Sequence, residues 1–177
     1  MGDNMKTVFV SGIHGVGKNY LCDHIVGVLG IPHYGASALI REFNASLVVT
    51  DKSVKDVSVN QDALVYQYKQ LPAAPIILMD GHTCLLKNGI EIERIPLSTF
   101  EQLDICSIIL VSAPIGTVIE RMKNRDGVAH NEVLIRQMLD VEQQYSNEIA
   151  KHLHVQMLEV ESTEKGIQQS IDLIKRF

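Results

Sequence analysis

The sequence of 177 residues contains no run of five basic residues and nothing near the eighteen or so consecutive apolar residues that a membrane span requires. Sixteen Lys and Arg stand against 21 Asp and Glu, a net charge of −5, which disfavours a protein that coats nucleic acid by neutralising phosphates. Cysteine is scarce: Cys22, Cys84 and Cys106 are far apart and each lies beside apolar residues. They read as small core fillers in a reducing compartment, not as a zinc site. The N-terminal MGDNMK lacks the order of a signal peptide, and Lys6 stands where a myristoylation motif wants Ser or Thr. A cytoplasmic protein with no membrane partner is expected. What is present is ordinary for a soluble protein, 46% hydrophobic and 21% charged residues, so 1–177 is expected to form a single domain.

Short apolar runs alternate with longer helical stripes, the pattern of an α/β protein. TVFVSG, IILMD, ICSIILVS and Val155–Val160 read as four buried strands. Leu21, Ile25, Val28 and Leu29 recur at helical spacing after the first of them. Ser37 reads as a helix cap ahead of Leu39, Ile40, Phe43 and Leu47. TDKSVKDVSVN is polar and unpatterned and reads as a surface loop, followed by a helix from Asn60 to Leu71. Asn88-Gly89, within alternating residues, predicts a small β-hairpin with a two-residue turn. Helices are expected after Pro114, over Leu134, Met138, Val141 and Tyr145, and along Ile167, Ile171 and Ile174. A parallel sheet with helices on both faces follows, its ligands outside the carboxyl ends of the strands.

The segment Gly12 to Asn19, GIHGVGKN, fits the GxxxxGK core of a phosphate loop and lies between an apolar strand and an amphipathic helix, the setting in which that chemistry works. Gly12, Gly15 and Gly17 let the backbone wrap around oxygens, and His14 and Val16 offer their main chain. Tyr20 continues the segment into the helix. The N–H groups at the helix start hold a polyphosphate while Lys18 neutralises its terminal charges. ATP and Mg²⁺ are the expected cofactors. Asn19 replaces the usual Ser or Thr ligand of Mg²⁺, so its amide oxygen is the candidate metal contact there.

Asp80 ends the strand Ile76–Met79 and has the form of a Walker B carboxylate, a second candidate metal contact. His82 stands two residues on, able to touch an acceptor or simply to open a turn. Arg121 and Arg125, four apart at the end of a helix, share one face toward the loop DGVAHN, and Arg136 can join them from the next helix. Their forked donors suit a transferring phosphoryl group, so Lys18, Asp80, Arg121 and Arg125 form the candidate catalytic set. Ser37 and Arg41, one turn apart, can face a small anionic acceptor.

Taken together, GIHGVGKN, SALIRE, IILMDGH and RMKNRDG resemble the adenylate kinase and nucleoside monophosphate kinase group of P-loop proteins. The resemblance implies a three-layer P-loop NTPase fold with acceptor-binding helices over about 37–71 and a short lid over about 121–136. It further implies that Arg41 holds an acceptor phosphate, that Arg121 and Arg125 close over the phosphates, and that the γ-phosphate of ATP passes to a small acceptor. A nucleoside monophosphate is the leading acceptor; Asp80-Gly81-His82-Thr83-Cys84 departs from the Asp-Gly-Phe-Pro-Arg of adenylate kinases, so a hydroxyl-bearing acceptor is its rival. A nucleotide-binding switch or slow ATPase without acceptor is the reading from another class. The sequence does not reveal oligomeric state.

Overall fold

The structure, a computed structural model, describes residues 5–46 and 57–177. β1 (Lys6–Ser11) runs through the glycine-rich turn into α1 (Lys18–Leu29). β2 (His33–Gly35) passes directly into α2 (Ala36–Ser46), and α3 (Val57–Tyr68) precedes β3 (Ile76–Asp80). The hairpin β4 (Cys84–Lys87) and β5 (Glu91–Arg94) leads to the single-turn α4 (Leu97–Phe100). β6 (Ile105–Ser112), α5 (Ile115–Asp126), α6 (Glu132–His152), β7 (Gln156–Glu161) and α7 (Glu164–Ile174) complete the order.

Five strands pair in the order β2-β3-β1-β6-β7, all parallel. The strands are apolar on both faces because helices cover both. Val8 and Val10 of β1 pack with Leu21 and Ile25 of α1 and Ile171 of α7, whereas Phe9 between them packs with Leu39, Leu64 and Ile149 on the opposite face. Each of these fully buried side chains contributes about 1.5–3 kcal/mol relative to exposure. Chain order reverses at β1, with β3 on one side and β6 on the other, so the crevice outside its carboxyl end is where ligands are expected. The phosphate loop and Asp80 both emerge there: the register sets Asp80 beside Val10.

Five strands, not four, make the sheet. β2 has only three half-buried residues, too few to show a period. α2 starts at Ala36, which puts Ser37 inside its first turn and not at its cap. α3 starts at Val57, so the end of the segment read as a loop is helical; its polar residues hid the start. Residues 50–56 and Leu47 lie outside the described residues. α3 stops at Tyr68, and a turn carries the chain to Leu71.

Asn88 and Gly89 take φ of 53° and 75°, and Ile90 N–H donates to Lys87 O at 3.2 Å, the mirror-image turn their types favour. Lys87 nevertheless pairs with Glu91, so Ile90 is left out of the ladder and the loop is one residue longer than expected. Gly127 closes α5 in the left-handed conformation, and Asn131 caps α6 by accepting from Leu134 N–H at 3.2 Å. Gly127–Asn131 is the connection between α5 and α6. Among the described residues no helix is long and apolar enough to cross a membrane.

Candidate functional site

Gly12 has φ of 148°, and a Cβ there would sit 2.8 Å from the Val111 carbonyl oxygen and 2.9 Å from the Val16 side chain. The loop closes against β6 only because no side chain intervenes. Val16 is fully buried and anchors the turn in the core below. α1 begins at Gly17 without a side-chain cap, so its first N–H groups are open to an anion. Above them lies a cavity of about 250 Å³ lined by Gly15, Lys18, Asn19, Arg121 and Arg125, with His14 also on its wall.

Lys18 is 7% exposed, and its Nζ donates to the carbonyl oxygens of Gly12 and Ile13, the latter at 3.2 Å. Lost hydration lowers its pKa, opposed by the Glu142 and Asp80 carboxylates. Carbonyls are weaker partners for an ammonium than ionised phosphate oxygens, so the geometry suits exchange onto a phosphate. Arg121 Nη1 donates to Gly15 O at 3.1 Å, and Arg125 is paired with its neighbour Asp126, 2.8 Å from Nη2 to Oδ2. Of the two arginines read as a pair at α5, Arg121 touches the phosphate loop and Arg125 lines the same cavity. Ser162, in the turn after β7, donates to Val16 O at 3.3 Å and had no signal in the sequence.

Beneath the loop, Glu142 of α6 is 1% exposed. Its carboxylate accepts from Gly12 N–H at 2.9 Å, Thr83 N–H at 2.9 Å and Cys84 N–H at 3.0 Å, and the Cys84 thiol donates to it at 3.2 Å. One carboxylate therefore ties the start of the phosphate loop to the segment after β3. Lost hydration, and then the charge of Glu142, push the Cys84 thiol up, which keeps it a donor. Sequence reasoning missed Glu142, since a carboxylate on a helix is ordinarily solvated. The buried face runs through Ile135, Met138, Glu142, Tyr145 and Ile149, not Leu134 and Val141, and a Glu interrupting that stripe was the available signal.

Asp80 Oδ1 lies 2.8 Å from His33 Nε2, which fixes the carboxylate's orientation from the neighbouring strand. His33 had no motif around it. His82 packs its ring against His14 at a centroid distance of 4.5 Å. Burial, then the charge of Lys18 and the His14 ring, push the His82 pKa down to about 3, while a hydrogen bond to the Gly12 backbone acts the other way, so the imidazole is neutral. Partial dehydration, with Lys18 and Arg125 nearby, also lowers the pKa of His14. Asp80 and His82 line a second cavity of about 80 Å³ together with Ser37, Gln61, Leu64 and Phe100. His82 also opens onto a wider cleft of about 530 Å³ bounded by His14, Asn60, Lys87 and Met138.

A family model described as AAA domain matches residues 11–138, most of the chain and all of the loop just described. The chain belongs to the AAA domain family. Its fold is that of P-loop kinases. A sugar kinase from Janibacter sp. HTCC2649 is similar at TM-score 0.61 and 14% identity, over 97% of this chain and 95% of that one. Shikimate kinase from Acinetobacter baumannii, in complex with shikimate, is similar at TM-score 0.60 and 14% identity, over 98% and 93%. A gluconokinase from Sinorhizobium meliloti 1021 is similar at TM-score 0.51 and 14% identity, over 99% and 97%. No curated protein matches.

In this AAA domain the remaining sequence candidates are placed unevenly. Ser37 lines the small cavity, but Arg41 is exposed on α2 and outside that lining. Tyr20 is 50% exposed and stacks on His24 at 4.2 Å, away from the loop cavity. Arg136 pairs with Glu132 on its own helix at 3.0 Å and does not join Arg121 and Arg125. Cys22 and Cys84 are buried and Cys106 half-buried, all three free thiols.

Proposed function

We propose that residues 1–177 act as one ATP-dependent kinase unit that moves the γ-phosphate of ATP to a hydroxyl of a small molecule. The observation that carries the reading is the position of Asp80: it stands between the phosphate cradle, where it acts electrostatically on Lys18, and the cavity that it lines. An acceptor seated in that cavity would bring its hydroxyl to Asp80. The hydroxyl oxygen would form a bond to the γ-phosphorus as the bond from phosphorus to the β–γ bridging oxygen breaks, with ADP leaving and the hydroxyl proton passing to Asp80. Lys18, Arg121 and Arg125 would stabilise the charge on the transferring group. Asp80 and the Asn19 amide oxygen would hold Mg²⁺ together with phosphate oxygens, an all-oxygen set that suits the ion and supplies charge neutralisation.

Transfer to a nucleoside monophosphate has support from Ser37, which lines the cavity, but its arginine, Arg41, lies outside the lining. A phosphate acceptor needs no base, whereas Asp80 suits a hydroxyl, so the hydroxyl reading is the better supported. The cavity beside Asp80 also favours a kinase over a switch with no acceptor.

ADP release coupled to a panel of alcohols, nucleosides, sugars and monophosphates tests the reading. Acceptor-dependent turnover is expected; tight ATP binding with no acceptor stimulation would favour the switch. Asn19→Thr is expected to raise Mg²⁺-dependent turnover a few-fold at unchanged nucleotide affinity, because the shorter hydroxyl reaches the metal directly. Unchanged or lower turnover in steady-state assays would mean that the site is adapted to the amide.

A further inference from the structure

The cavity beside Asp80 is chemically one-sided. Phe9, Ile40, Leu64, Leu85, Ile95 and Phe100 supply its apolar walls. Its polar lining is Ser37, Gln61, Asp80, His82 and Thr99, with no Lys or Arg among the described residues. Gln61 on α3 is 4% exposed, and its Oε1 is buried without a hydrogen-bond partner. His82 Nδ1, on the same lining, is likewise buried and unpartnered. Leaving such atoms without donors is costly, and native structures rarely do so without a reason. Gln61 Oε1 is an acceptor by nature. His82 Nδ1 is an acceptor in the tautomer that carries the ring proton on Nε2.

We propose that this cavity selects an uncharged acceptor molecule with a compact apolar body and at least two hydrogen-bond donors, received by Gln61 Oε1 and His82 Nδ1, and that it rejects carboxylates and phosphomonoesters. The proposal rests on the kinase reading and names its substrate class. Rejection follows from the lining: among its described residues no Lys or Arg stands to pair with an anion, so a carboxylate or phosphomonoester would leave water without a partner there. The apolar walls take the body of a neutral ring, and the two acceptors fix which way its donors face. Gln61 is thereby a specificity residue that touches the acceptor and not the nucleotide, since it lines this cavity and not the one over the phosphate loop.

The test uses the full chain loaded with AMP-PNP and Mg²⁺ and matched probes: adenosine against AMP, cytidine against CMP, sorbitol against gluconate, and cyclohexane-1,2-diol against cyclohexanecarboxylate. Binding is read as thermal stabilisation, and turnover with ATP as ADP release. The neutral member of at least one pair is expected to bind at least tenfold more tightly than its acid. Gln61→Met, close in volume but without the acceptor, is expected to raise KM for that neutral probe about tenfold, with kcat within a few-fold and AMP-PNP stabilisation unchanged. Acids that bind as well as or better than their neutral partners, no stabilisation by any neutral probe, or a Gln61→Met protein with wild-type KM would each overturn the proposal. Turnover driven by an acid would sink the proposal and leave the kinase reading standing, whereas no stabilisation by AMP-PNP would sink both. The comparison within pairs needs no variant, so it decides the matter even if Gln61→Met does not fold.

Discussion

Glu142→Ala is expected to lower the stability of the fold by about 3–6 kcal/mol, the cost of leaving three buried N–H donors without an acceptor at about 1–3 kcal/mol each, less what relaxation recovers. The donors belong to Gly12, Thr83 and Cys84, which follow two different strands, β1 and β3, and Glu142 is 1% exposed, so water has little access to replace the carboxylate. Such a loss is a large part of the 5–15 kcal/mol typical of a domain. Glu142→Gln keeps one carbonyl oxygen and is expected to lose less, about 1–3 kcal/mol. Urea midpoints at constant m-value measure both. An alanine protein within 1 kcal/mol of the natural chain would show that the loop is held by other contacts and that Glu142 is not its tie.

Lys18→Met is expected to reduce turnover by about 10²–10³-fold, the range for removing a donor aimed at developing charge. Its effect on folding should be opposite in kind. A buried ammonium whose pKa is lowered by lost hydration is a burden on the free protein, and Met keeps most of the volume, so stability should hold or rise slightly. The separation of the two readouts makes the test informative: activity falls while the thermal midpoint does not. Turnover within tenfold of the natural chain would remove Lys18 from the chemistry, and a collapse of stability would recast it as a structural residue.

The backbone of the site was legible in the sequence because its signals are local. A strand, a glycine turn and a helix in immediate succession are set by apolar spacing and by glycines that alone tolerate φ of 148° and 101°, so Gly12 to Asn19 could be read without a fold. Asp80 was legible for the same reason, as the residue that ends an apolar run. Arg121 and Arg125 were legible as a pair from their helical spacing, and their closing over the phosphates was implied by the resemblance. β2 was not, because three residues carry no period, and its His33, in register with Leu78, gains meaning only through its 2.8 Å side-chain contact with Asp80.

Sequence alone therefore determined the alternation of strands and helices, the phosphate loop and the acidic strand end, since each depends on residues within one turn or one strand of each other. Only the tertiary structure decided which carboxylate and amide are buried. Glu142 lies 130 residues from Gly12, and Gln61 comes from a helix whose start is masked by polar residues. A charged or amide side chain on a helix face is ordinarily solvated, and nothing in its immediate neighbourhood says otherwise. Tertiary packing closes over both groups, leaving Glu142 1% and Gln61 4% exposed, and that loss of hydration makes one a structural tie and the other the proposed reader of the acceptor.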